Sequence, residues 1–216
     1  MSDTQREIPL LMFAKAPIAG KVKTRLTTDC SDEQAAEIAK IIMHESLHLA
    51  IQNWPGQVYL SVWHDADHPF ILEMLATYNV KLLHQVPGDL GYKMSAAFDE
   101  VGFPAAIMGC DAPLVNPEML KLAHSLLLNE QKNVLGPSAD GGYYFIGLSE
   151  SAKCLFEQIS WGSAEVLTET LRVADQQGIK IAQLEESDDI DRWEDVKLAA
   201  LTIPYLADYL RSQTLN

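Results

Sequence analysis

At 216 residues and 48% hydrophobic, the chain can bury a full core, and one domain over 1–216 with its core at about 8–200 is the expectation. Thirty acidic against 16 basic residues, a net charge of −14, argue against the broad basic face that nucleic acid or an anionic membrane needs. Cys30, Cys110 and Cys154 are odd in number and far apart, with no C-x-x-C, which points to a reducing, cytoplasmic setting. The opening MSDTQRE carries no basic region ahead of a long apolar stretch, so neither a signal peptide nor an anchor is expected.

The apolar run Ile8 to Ala14 has the length of a buried strand. Lys15, Lys21, Lys23 and Arg25 follow in a loop with Pro17 and Gly20 and no acid, a surplus of positive charge in an acidic chain. Such a loop after a first strand either is solvated surface or holds a phosphate chain, since α/β proteins bind ligands beyond the carboxyl ends of their strands. It is not a P-loop: Val22 follows Gly20-Lys21 where Ser or Thr is required, and Lys15 stands where the leading Gly belongs. The dinucleotide fingerprint G-x-G-x-x-G is absent too.

Ser31 to Gln34 reads as a capping box that starts a helix running to about Gln52, with Ala35, Ala39, Ile42, Ser46 and Leu49 as its buried stripe. Within it His44-Glu45-Ser46-Leu47-His48 matches the zinc signature H-E-x-x-H. Helical geometry turns both imidazoles away from the apolar stripe, so solvated histidines are expected rather than zinc ligands.

Gln57 to Trp63 reads as a second strand. His64 to Pro69 is either a polar connection or a short metal-binding cluster. Phe70 to Thr77 reads as a short helix and Val80 to Leu83 as a third strand. Gln85 to Gly91 is a glycine-containing turn that opens a helix over Leu90 to Glu100. It is either a plain connection or a backbone surface for a base or ribose.

Ala105 to Met108 reads as a central strand, which leaves Asp111 at its carboxyl end. A carboxylate there either caps local backbone or holds Mg²⁺ or Mn²⁺, hard ions that combine carboxylate with phosphate oxygens. Asn116-Pro117-Glu118 starts a helix to about Leu128. Val134 to Pro137 and Tyr143 to Leu148 are two strands around Ser138 to Gly142. That turn is either a hairpin connection or a placement of Asp140 against a ligand. Ser163 is expected to cap a helix that Gly178 ends, and Lys180 to Leu184 reads as a last strand. Seven of the eleven residues from Glu185 to Asp195 are acidic. They form a solvated face, or Asp191 returns to the sheet edge of Asp111 as a second metal ligand. The tail from Trp193 to Leu210 reads as helix interrupted near Pro204.

FAKAPIAGKVKTRL, GDLGYKM, GCDAPL, GPSADGGYYFIGL, SWGSAEVL and DIDRWEDV, in this order, resemble the bacterial family called transferase 1, radical-SAM/selenodomain-associated, formerly a domain of unknown function. That family lies in the nucleotide-diphospho-sugar transferase superfamily. The resemblance implies a GT-A fold, a Rossmann-like three-layer α/β/α arrangement with a mostly parallel mixed sheet. It places a nucleotide or nucleotide sugar against Ala14, Lys15, Gly20, Lys21, Lys23 and Arg25, and the base near Gly88, Asp89 and Lys93. It makes Asp111 and Asp191 ligands of a divalent metal. Asp140 is the candidate to orient or deprotonate an acceptor hydroxyl. Lys93 and Arg192 depart from the family pattern, where Arg and Thr are usual; no D-x-D pair is expected, so single aspartates would carry the metal. The K-x-K-T-R-L string is also similar to that of 2-phospholactate guanylyltransferases. Three readings follow: sugar transfer, nucleotidyl transfer onto a phosphate monoester, and a non-catalytic nucleotide-binding module.

Overall fold

The computed structural model describes residues 7–214, so residues 1–6 of the opening MSDTQRE lie outside the described residues. The strands are β1 Leu10–Lys15, β2 Val58–Trp63, β3 Lys81–His84, β4 Ala105–Gly109, β5 Asn133–Pro137, β6 Tyr143–Leu148 and β7 Ile181–Gln183. They form one sheet in the order β3-β2-β1-β4-β6-β5-β7. β6 runs antiparallel to both neighbours, β4 and β5, and the other pairings are parallel. From β1 the chain builds outward through β2 and β3, then crosses back to lay β4 on the other side of β1. The crevice beyond the carboxyl ends of β1 and β4 is therefore the switch point at which open α/β sheets bind ligands.

The helices are α1 Asp32–Asn53, α2 Pro69–Thr77, α3 Leu90–Val101, α4 Pro117–Asn129, α5 Val166–Gln176, α6 Trp193–Ala199 and α7 Pro204–Thr214. Alternation along the strands sorts them into two layers. Leu10, Met12, Ala106 and Met108 face a core shared with Met43 and Leu47 of α1, Met74 of α2 and Leu120 of α4. Leu11, Ala105 and Ile107 face the opposite core, with Met94 and Phe98 of α3 and Ala174 of α5. This is the expected α/β/α arrangement, and the expected capping box is formed: Ser31 Oγ accepts from the Gln34 amide at 3.2 Å, while Gln34 Oε1 accepts from the Ser31 amide at 2.9 Å.

A third apolar cluster lies beside the sheet. It joins Leu26, Ala35, Ile38 and Ile42 to Ile190, Val196, Ala199 and Leu206. Leu26 sits in a 3₁₀ turn, Thr24–Thr28, that periodicity does not announce. Ile190 belongs to the acidic run. Burying these two side chains together pins the cationic loop to the acidic one, because apolar area removed from water is the main attractive contribution.

Two expectations are corrected. His44 is half-buried, not solvated: its Nε2 lies 2.8 Å from the Tyr78 hydroxyl. Its ring also stacks on His48 and meets Tyr205 edge-on, so α2 and α7 supply aromatic neighbours that a helix projection cannot see. The helix expected to start at Ser163 starts at Val166, with Glu165 at its cap. Ser163 Oγ instead accepts from the Glu165 amide at 3.2 Å, one turn earlier.

Candidate active site

Lys15 ends β1, and Asp111 follows β4. Both therefore stand at the switch point. Lys23 adopts φ 46°, in the left-handed region, at the start of the 3₁₀ turn. Its side chain is 5% exposed and its Nζ lies 3.0 Å from Asp111 Oδ1 and 3.0 Å from Asp191 Oδ1. Arg25 Nη1 takes the second oxygen of Asp191 at 3.0 Å. The Ile190 amide donates to the Asp111 carbonyl at 3.2 Å, which ties the acidic run to the end of β4. Asp191 thus returns to the sheet edge of Asp111. Arg192 is not a ligand in this geometry; its amide bonds Asp195, and its charge adds to the field on Asp191.

The charges respond to one another. Burial favours the neutral form of Lys23, but Asp111 and Asp191 outweigh it and hold the ammonium above the usual lysine range. Burial likewise raises Asp191, and Lys23, Arg25 and Arg192 outweigh it and hold its carboxyl below the usual range. Asp189 behaves oppositely. Burial first, then Asp111, Asp140 and Asp191, push its carboxyl up to about 7 against the pull of Lys23. A folded-state value above the unfolded one makes ionisation a stability cost that grows as pH rises through that window. Asp189→Asn is therefore expected to raise the melting temperature of the metal-free protein more at pH 8 than at pH 5. Calorimetry of both proteins at both pH values decides it, and an equal or larger gain at pH 5 refutes it.

Asp189 is the residue that motif reasoning misses. Read as a charge run, Asp189-Ile190-Asp191 hides a D-x-D, contrary to the expectation of none. The signal was present: a lone buried apolar residue between two acids, which turns both toward one edge.

Two cavities meet here. The first, about 610 Å³, gathers Ala14, Lys15, Lys21, Lys23, Arg25, Lys93, Asp111 and Asp191 from the expected set. Lys93 lies 3.7 Å from the centroid of the Trp63 ring, and burial and then Lys15 lower its pKa. Gly20, Gly88 and Asp89 line neither cavity. Asp89 is instead the cap of α3, accepting from the Tyr92 amide at 2.8 Å. The second cavity, about 720 Å³, holds Asp140 with Tyr143, Trp161 and Asp189, and shares Arg25, Leu90 and Asp191 with the first. Asp140 Oδ1 accepts from Ser138 Oγ at 2.7 Å and from the Gly142 amide at 3.0 Å.

The donor set suits a hard divalent cation. Two carboxylate oxygens already flank one ammonium, and a third acid, Asp189, lines the adjoining cavity together with Asp191. Among the described residues no three His, Cys, Asp or Glu side chains form a ready cage, so substrate oxygens would have to complete the coordination. Burial, and then the charge of Asp111, raise the pKa of the Cys110 thiol.

Sheet order and switch-point site together define the nucleotide-diphospho-sugar transferase fold, and comparison with known proteins agrees. The chain belongs to the family described as "Uncharacterized protein conserved in bacteria (DUF2064)", matched over residues 46–163. A candidate nucleotide-diphospho-sugar transferase from Desulfovibrio desulfuricans G20 is 26% identical, with a TM-score of 0.84 over 96% of this chain and 95% of that one. Rv0371c from Mycobacterium tuberculosis H37Rv, in a complex with manganese, is 14% identical, with a TM-score of 0.56 over 89% and 97%. A nucleotidyl transferase from Methanothermobacter is 14% identical, with a TM-score of 0.56 over 96% and 99%. The last two likenesses concern the fold alone. No curated protein matches the chain.

Proposed function

We propose that the chain, acting as a single GT-A-like domain, is a nucleotide-dependent transferase. It moves a glycosyl group from a nucleoside-diphosphate sugar to a hydroxyl acceptor, with Mg²⁺ or Mn²⁺ as cofactor. The observation that carries this reading is the pair of cavities with a common wall at Asp191, Arg25 and Leu90. One is rich in cations, as a diphosphate requires. The other pairs carboxylates with Trp161 and Tyr143, groups that bind sugar hydroxyls and stack on sugar rings. The name of the Desulfovibrio protein and the manganese held by the mycobacterial protein support the donor and the metal respectively.

In this reading Lys15, Lys21, Lys23 and Arg25 hold the phosphates, Asp111 and Asp191 hold the ion, and Lys93 over Trp63 borders the base. The ion, when bound, supplies Lewis-acid neutralisation of charge on the leaving diphosphate. The acceptor oxygen bonds to the anomeric carbon as the bond from that carbon to the diphosphate oxygen breaks. The electron pair leaves with the diphosphate. Asp140 takes the acceptor proton on Oδ2, since Oδ1 is engaged by Ser138 and Gly142. The loop cations offset the diphosphate charge from fixed positions, the arrangement that costs least reorganisation.

Nucleotidyl transfer is the second reading. Two guanidiniums, Arg25 and Arg192, line the second cavity and match the fork geometry of a phosphate monoester. The nucleotidyl transferase from Methanothermobacter has the same fold.

A thermal-shift panel of nucleoside triphosphates and nucleoside-diphosphate sugars, each with and without Mn²⁺, separates the readings. A ligand at about 100 times its dissociation constant stabilises by about 2.7 kcal/mol, or roughly 5–10 °C for a chain of this size. The expected result is a Mn²⁺-dependent shift of that size with one diphosphate sugar. A shift confined to one triphosphate favours nucleotidyl transfer, and no shift anywhere in the panel refutes both.

A further inference from the structure

The loop carries four cations, and three of them, Lys15, Lys21 and Arg25, are exposed. Lys23 differs. Its left-handed backbone and the burial of Leu26 three residues on turn its side chain inward until 5% remains exposed. The ammonium then lies 3.0 Å from one oxygen of Asp111 and 3.0 Å from one of Asp191. These are the two carboxylates that the proposed function assigns to the divalent ion. An ion at the usual distance of about 2.0–2.2 Å from each oxygen and an ammonium between the same two oxygens cannot coexist.

We propose that Lys23 is a tethered counter-ion that keeps the cation position in the ligand-free protein, so that the divalent ion enters only when a phosphate chain draws the ammonium away. This rests on the metal reading above. Its physical basis is charge balance. Without a cation, the Asp111 and Asp191 oxygens that share one ammonium would face each other, with Asp189 and Asp140 lining the adjoining cavity beside Asp191, and uncompensated carboxylates at one half-buried point are costly. Lys23 removes that cost while the site is empty. A phosphate chain in the first cavity, which Lys23 also lines, offers the ammonium a second anionic partner. The carboxylates are then free for the ion, and no charge is left unpaired in either state. Metal and nucleotide therefore bind as a coupled pair, each favouring the other.

The test is direct Mn²⁺ binding, followed by the loss of the free-ion electron paramagnetic resonance signal. It compares the wild type and Lys23→Met, each with Mn²⁺ alone and with Mn²⁺ plus each of UDP, GDP, CDP and ADP, and Lys23→Met/Asp111→Asn and Asp111→Ala with Mn²⁺ alone. The wild type should bind Mn²⁺ alone weakly and at least about tenfold more tightly with one diphosphate, the scale of one close charge pair. Lys23→Met should bind Mn²⁺ alone at least about tenfold more tightly than the wild type and lose affinity for the diphosphate. These opposite signs would not come from a merely structural role or from partial unfolding. The double variant should lose the gained Mn²⁺ site. Wild-type protein that binds Mn²⁺ alone as tightly as with any diphosphate overturns the inference even if Lys23→Met does not fold. If that binding is lost in Asp111→Ala, the metal reading survives. If no form binds Mn²⁺ under any condition, the metal reading falls and the inference with it.

Discussion

Asp111→Ala is expected to lower turnover about 10³-fold while moving the melting temperature by less than about 2 °C, because in the proposed function Asp111 holds the divalent ion, and such a ligand is worth several kcal/mol in the transition state and little in folding. The two effects separate because of where Asp111 stands. Its side chain is 59% exposed beyond the end of β4, so its removal leaves no cavity. Its structural contribution is a backbone carbonyl that accepts from the Ile190 amide, and alanine keeps that group. Lys23 retains Asp191 as its partner at 3.0 Å. Asp191→Ala should be less clean, since Asp191 also holds Arg25. With the donor found in the thermal-shift panel, diphosphate release gives the rate and calorimetry gives the melting temperature. Turnover within tenfold of the wild type would remove Asp111 from the reacting centre.

The parts of the site that lie close in sequence to a strand end are the parts the sequence discloses. Lys15 follows an apolar run, and Asp111 follows another, so the switch-point rule finds both without a structure. The joining of Lys23 to Asp191 is different. It spans 168 residues and depends on Leu26 and Ile190 meeting in a small side core against α1 and α6. Each of these two residues is a single apolar position in a polar stretch, and no local period marks it. For the same reason the acidic run reads either as a solvated face or as a return of Asp191 to the sheet edge, and Asp189 is overlooked inside it. Gly20, Gly88 and Asp89 are implied by the resemblance alone; they line neither cavity, and Asp89 caps α3. The histidines of α1 show the limit of a helix projection, which orients a residue relative to its own helix but cannot place Tyr78 or Tyr205 beside it.

Gly141→Ala is expected to be the most destabilising single methyl addition near the site. Gly141 has φ +88°, and a Cβ there would lie 2.1 Å from the carbonyl oxygen of Ala164. That neighbour is backbone and cannot swing aside. It is also held in place, because the Leu167 amide at the start of α5 donates to the Gly141 carbonyl at 2.9 Å. Gly141 is thus the point where the turn carrying Asp140 is fastened to the Trp161 to Ala164 segment, and both line the second cavity. Left-handed strain and the backbone clash together should cost about 2–4 kcal/mol, which is a fall of roughly 5–15 °C for a chain of this size. Gly178→Ala separates the two contributions. Gly178 has φ +67° with nothing within 4 Å of an added Cβ, so it carries the strain without the clash and should lose only about 1 kcal/mol. The functional consequence follows from the same geometry. The first cavity contains no part of this fastening, so Gly141→Ala, measured below its melting temperature, should keep the Mn²⁺-dependent donor shift and lose acceptor-dependent turnover. A variant as stable as Gly178→Ala would show that the turn can move away from Ala164 at little cost. The position of Asp140 would then owe nothing to that contact.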